Sequence, residues 1–155
     1  MKMRFLVCVI IFGAFIASIT SDAYSKNAQS TSQGKEFDKV FNSAPLSGGV
    51  KEINYAQFIT IKNSGEKFFL IDVLSEYDYK TGHIDGAISM PIRTINESTV
   101  RKAIPRGARV IVYCNGFECH ASSQAALQLS GYGYKVLDYK GGLQDWTAHG
   151  GRLVK

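Results

Sequence analysis

Three side chains able to do covalent or proton chemistry fall within seven residues: Cys114, Cys119 and His120. A thiol becomes a strong nucleophile only as the thiolate, and a helix start or a neighbouring cation favours that form. Two thiols five positions apart can also close a bridge, since this spacing allows the roughly 5.5–6 Å Cα separation a disulfide needs. Cys114 therefore reads either as a nucleophile or as a buried structural thiol. Cys119 reads as a group that attacks whatever Cys114 carries, that bridges to it, or that takes no part. His120 offers a positive charge or simply a solvated ring; an ordinary imidazole, with a pKa of about 6.5, is mostly neutral at pH 7. Glu118 in the same stretch disfavours a thiolate unless its carboxylate turns outward.

The flanking residues say what positions these groups. Val110-Ile-Val-Tyr113 is apolar, mostly β-branched, and runs straight into Cys114, as a buried strand ending on a thiol would. Ala121, Ala125, Ala126 and Leu129 then recur at helical spacing, with Gln124 and Gln128 off that face. The order is strand, cysteine-headed loop, helix. The first amides of a helix lack partners and carry the positive end of its dipole, so a thiolate, or an anion that it receives, is stabilised there.

The rest of the chain repeats this alternation. Asn54 caps an expected helix over 55–63, and Phe68 to Val73 reads as a buried parallel strand. Ser75 caps a short helix through Tyr79, Gly82 to Gly86 reads as a turn, and Ala87-Ile-Ser89 as a short strand closed by Pro91. A helix is expected over Thr94 to Ile104, a strand over Lys135 to Tyr139, and a last helix after Gly141-Gly142 carrying Trp146, which is read as core. Strands alternating with helices predict an α/β fold, a mostly parallel sheet with helices on both faces. Sites in such sheets lie beyond the carboxyl ends of the strands. That rule gathers Asp72, the Gly82–Gly86 turn with His83, and the Cys114 loop on one rim. Asp72 is expected mainly to hold the backbone of its loop, and His83 to pin its turn.

The 155 residues carry a net charge of +5 and 45% hydrophobic content, which suits one globular domain with a short extension. There is no long Lys/Arg block and no aromatic-basic interleaving, so nucleic acid is not an expected partner. Lys2 and Arg4 precede an uncharged run from Phe5 to Ile19, and Ser21-Asp-Ala23 puts small residues at a cleavage site. This predicts a signal peptide at 1–23, a periplasmic or secreted mature protein and no membrane contact after cleavage; the alternative is an uncleaved N-terminal anchor. Residues 24–49 read as a polar flexible leader in which 37–41 could dock, and 50–155 as the folded domain.

Leu70-Ile-Asp-Val73, Glu76-Tyr77, Gly82-His-Ile-Asp-Gly-Ala87 and Met90-Pro91 follow in order. Val112-Tyr-Cys114, Ala125-Ala126, Gly133-Tyr134, Val136, Gly141-Gly142 and Trp146 follow them. In types and spacing these residues resemble the two signatures of the rhodanese-like sulfurtransferases, over about 50–150. The resemblance implies the rhodanese-like fold, a catalytic Cys114 that carries sulfur as a persulfide, and a substrate-cradling loop over Asn115, Gly116, Phe117, Glu118, Cys119 and His120. It implies no cofactor and no metal. Leu74 stands where the family often has Arg, and the loop runs about two residues longer and holds no Arg. The first expectation is a sulfurtransferase acting on a small sulfur-containing anion such as thiosulfate, with a thiol or cyanide as acceptor. A thiol–disulfide or sulfur-carrier module, in which Cys114 and Cys119 exchange with a periplasmic redox protein, is the alternative. A phosphatase-like reading lacks the bidentate loop Arg such a site needs, and a soft-metal site would use an unusual ligand spacing.

Overall fold

The computed structural model describes residues 35, 38–42 and 50–155. The expected signal at 1–23 and most of the leader at 24–49 lie outside the described residues. In chain order the elements are β1 (Lys51–Ile53), α1 (Tyr55–Lys62), β2 (Phe69–Asp72), α2 (Glu76–Thr81), β3 (His83–Ile84) and β4 (Ala87–Ser89). A 3-10 turn, Ile92–Thr94, leads to α3 (Glu97–Ala103), β5 (Arg109–Tyr113), α4 (Ala121–Gly131), β6 (Lys135–Tyr139), α5 (Gly142–Ala148) and β7 (Leu153–Val154).

The main sheet is parallel throughout, in the order β1-β6-β5-β2-β4, which puts β5 at its centre. A central parallel strand is covered on both faces, which is why 110–113 is continuously apolar. Alternate side chains serve opposite faces. Ile111 and Tyr113 join Leu70, Leu137, Tyr139, Phe58 and Trp146 in one core. Val110, Val112 and Cys114 join Ile71, Val136, Ala125 and Leu129 in the other. The first core is built on rings: Phe58 stacks on Tyr139 at 4.5 Å and meets Trp146 edge-on at 5.8 Å. The second takes the small residues of α4, which let that helix lie close to the sheet.

Helix starts follow local chemistry. Asn54 and Gln57 exchange side-chain and backbone hydrogen bonds at the start of α1, and Ser75 Oγ accepts from the Asp78 amide at the start of α2. The same device moves one expected boundary. Asn96 Oδ1 accepts from the Thr99 amide and Thr99 Oγ1 from the Asn96 amide, so α3 begins at Glu97, and the residues before it form only the 3-10 turn. The segment expected as a plain turn at 82–86 contains β3, which pairs antiparallel with β7 at the end of the chain. Residues 38–42 are helical, and Val40 and Phe41 are buried in the ring-rich core, so packing extends upstream of residue 50. No described helix is long and apolar enough to cross a membrane.

Candidate active site

Cys114 is the residue after the central strand. Its sulfur is fully buried on the α3/α4 face of the sheet and is bonded to Cys119 in a disulfide with a Cα separation of 6.4 Å. This separation lies within the range usual for a disulfide. The loop between is a closed turn rather than an open cup: the Cys119 amide donates to the Gly116 carbonyl at 2.9 Å. Asn115, Phe117, Glu118 and His120 are exposed around it, and Gly116 is buried. The Glu118 carboxylate and the His120 ring thus both face solvent. α4 begins immediately after His120, which gives it no side-chain cap.

The floor of the loop comes from α5. The amides of Leu143 and Gln144 donate to the carbonyls of Cys114 at 3.0 Å and Asn115 at 2.8 Å. This contact explains Gly142, whose φ is +54° and whose absent side chain leaves room for the Cys114 carbonyl; a Cβ there would overlap it. The first half of the loop is therefore clamped, and the exposed second half is held by the disulfide.

A polar chain runs behind the second half. Lys140 Nζ donates to the Cys119 carbonyl at 2.7 Å and to Ser123 Oγ at 3.1 Å, and Ser123 Oγ donates to Asp138 Oδ2 at 2.7 Å. Asp138 is fully buried, and burial pushes its carboxyl above the usual carboxylate range, against the pull of Ser123, Ser122 and Lys140. Ser122 Oγ lies close enough to act on this carboxylate, yet neither it nor Asp138 Oδ1 makes a hydrogen bond of normal geometry. None of Lys140, Ser123 or Asp138 stands out in sequence beside the cysteines. The one available signal was Asp138 itself, a charge in the otherwise apolar strand Val136-Leu-Asp-Tyr139.

Asp72 ends β2 in register with Tyr113, at the same carboxyl edge of the sheet as the loop but on the opposite face, with His83 near it. Asp72 is fully buried on the ring-rich face, where Oδ1 accepts from the Leu74 amide at 2.9 Å and Oδ2 has no partner. Burial raises its pKa, opposed by the Leu74 amide and the nearby Tyr113 hydroxyl. His83 Nδ1 lies 3.0 Å from the Tyr79 carbonyl and its ring stacks on Tyr79 at 3.7 Å. Both belong to the rim built by β2, α2 and β3, where Tyr113 Oη accepts from the Ile84 amide at 3.1 Å. Among the described residues no three His, Cys, Asp or Glu side chains gather in a way that could hold a metal ion.

The model of the Rhodanese-like domain matches residues 55–149. The chain belongs to the rhodanese-like family. Over 75 residues it is 35% identical to the thiosulfate sulfurtransferase PspE of Escherichia coli, covering 48% of this chain and 70% of that protein. A second relative, the HTH-type transcriptional regulator Rv0324 of Mycobacterium tuberculosis, is 30% identical over 99 residues, which span 63% of this chain and 42% of the regulator. Among solved structures, the BH2092 protein of Bacillus halodurans superposes with a TM-score of 0.62 at 28% identity, over 86% of this chain and 84% of that one. The Rhodanese_3 like domain of the Anabaena sp. Alr3790 protein gives 0.52 at 33% identity, over 57% and 100%. Both solved structures share the α/β fold of this chain.

Proposed function

We propose that this rhodanese-like domain is a sulfurtransferase in which Cys114 carries the moving sulfur. The observation that carries the reading is the place of Cys114, at the carboxyl end of the central strand and at the head of the loop that leads into α4. The similarity to a thiosulfate sulfurtransferase supports it. With Cys114 bonded to Cys119, the cycle starts by reduction. One external thiolate attacks the bridge and a second displaces it, so two external thiols become a disulfide and both cysteines become thiols. The Cys114 thiolate then attacks the outer sulfur of thiosulfate or a related donor. A Cys114–sulfur bond forms, the bond from that sulfur to the sulfonate breaks, and sulfite leaves with its electron pair. The resulting persulfide gives its terminal sulfur to a thiol or to cyanide, which returns the Cys114 thiolate.

Export as a mature chain starting at Tyr24 would place this chemistry in an oxidising compartment, where a reductant is needed to keep the site open. The disulfide also favours a second reading, a thiol–disulfide module exchanging with a redox partner through the same pair. Intact mass after reduction and thiosulfate treatment separates the two. Gain of one sulfur atom, lost again on adding cyanide, is the expected result. Loss of two hydrogens with no added sulfur supports the module. Cys114→Ser should abolish transfer from thiosulfate to cyanide and leave the circular dichroism unchanged; transfer at the wild-type rate would sink the assignment.

A further inference from the structure

We propose that Lys140 sets the charge of the sulfur site: its ammonium, bound to the loop of Cys114 and Cys119, stabilises the Cys114 thiolate and the anion that bonds to it. For its substrate this rests on the sulfur-transfer reading above; for its effect on the thiol it does not.

The geometry comes from register. Tyr113 pairs with Tyr139 across β5 and β6, so the residues that follow, Cys114 and Lys140, leave the sheet side by side. The Cys119 carbonyl oxygen receives Lys140 Nζ at 2.7 Å and lies 3.5 Å from Cys114 Sγ. Two atoms touching one oxygen at these distances are no more than about 6 Å apart, within the range over which a charge shifts its neighbour's ionisation. Lys140 is partly buried and forms no direct ion pair among the described residues. Its closest partners are a carbonyl and a hydroxyl, which orient an ammonium without neutralising it. Ser123 can accept from Lys140 because its own proton goes to Asp138, so the chain has one polarity from the ammonium to the buried carboxylate. That carboxylate holds the cation in place from behind, on the same face of the sheet as Cys114.

The other titratable groups on elements packed around the sulfur are differently placed. Glu118 and His120, in the loop, are exposed. Asp72 lies on the opposite face. Asp145, in α5, accepts from Tyr139 Oη at 3.0 Å and pairs with His149 at 3.3 Å. Thiosulfate, a persulfide and sulfite are all anions, so one fixed cation serves each stage of the transfer.

The test uses the reduced full chain and its Lys140→Gln and Lys140→Arg variants, with folding checked by circular dichroism. Iodoacetamide, a neutral probe, is reacted across pH and the label is read at Cys114 by tandem mass spectrometry. In Lys140→Gln the inflection should move upward by about half a unit to one unit, which makes labelling near neutral pH about threefold to tenfold slower. Lys140→Arg should restore most of this, and KM for thiosulfate should rise in the Gln variant more than kcat falls. Coincident profiles for wild type and Lys140→Gln would overturn the proposal. Should the profile move although wild type transfers no sulfur, the charge role stands and the sulfur-transfer reading fails. Should wild type transfer sulfur with coincident profiles, the role of Lys140 fails alone.

Discussion

Asp72 and Asp138 occupy equivalent places and have different neighbours. Each ends or nearly ends a strand, each is fully buried, each is pushed toward its protonated form by burial, and each has one oxygen without a partner. Asp72, on the ring-rich face, is answered by a backbone amide two residues further along its own chain. Asp138, on the face of Cys114, is answered by the hydroxyl of Ser123 in α4, and through it by Lys140. The first carboxylate fastens its own turn, with the Tyr113 hydroxyl and the His83 ring nearby on the same face. The second joins a strand, a helix and the loop of the two cysteines. Burial and a raised pKa are common to both, so what marks a group as part of the chemistry is the element that its partner belongs to.

The comparison breaks most visibly by truncation. Asp72→Ala leaves the Leu74 amide without its acceptor inside the protein, at a cost of about 1–3 kcal/mol in urea unfolding. The pH profile of Cys114 labelling should not change. A shifted profile in this variant would mean that the two faces are coupled and the contrast is wrong.

A gentler change sharpens it. Asn at either position keeps the shape and an accepting oxygen but removes the titration. A carboxyl whose folded pKa is raised contributes stability that is fully present below its unfolded pKa, near 3.8, and is lost as pH rises through the folded pKa. The stability of Asp72→Asn and of Asp138→Asn, each relative to wild type, should therefore increase as pH is raised from about 4 toward 7, by at most about 1.4 kcal/mol per pH unit for each carboxyl. A difference that is flat or falls with pH would show that the buried carboxyls are not held protonated.

The smallest effect separates the faces directly. Once pH has risen through its raised folded pKa, Asp138 is a negative charge on the side of the sheet that Cys114 occupies; Asp138→Asn removes it, and the labelling profile should move to lower pH by a few tenths of a unit. Asp72→Asn should leave that profile in place. The sign matters, because it opposes the upward shift expected of Lys140→Gln. An upward move in Asp138→Asn would mean that the amide fails to seat the lysine, and that the carboxylate's hold on the cation outweighs its own charge.

How much of this was legible in the sequence depends on the range of the interactions. β5 and β6 stand where apolar runs put them, because a central parallel strand needs apolar side chains on both faces. Asn54 and Ser75 mark helix starts, because a cap is satisfied within three residues. β7 was not legible: two residues have no usable periodicity, and its partner β3 lies some seventy positions upstream. The helix expected over 94–104 starts only at Glu97, because Asn96 and Thr99, whose side chains bond backbone amides more readily than they fit a helix interior, form a reciprocal cap in place of a continuous turn. At the site, Cys114 and its loop could be read from one stretch. Lys140, Ser123 and Asp138 come from two further elements, and only the pairing of β5 with β6 brings them to the same sulfur.

The anchorage of residues 38–42 also gives the molecule a direction. Lys51, Arg109 and Lys135 are the first residues of β1, β5 and β6, and they meet the Val40 carbonyl, Asp38 and Asn42 Oδ1. All three strands run the same way, so residues 38–42 lie against the sheet at the pole opposite Cys114. Five residues of strand separate the poles, about 16 Å at the usual rise per residue. The anchored segment and the cysteine loop thus sit at opposite poles of the sheet, and Asn115, Phe117, Glu118 and His120 stay exposed at theirs.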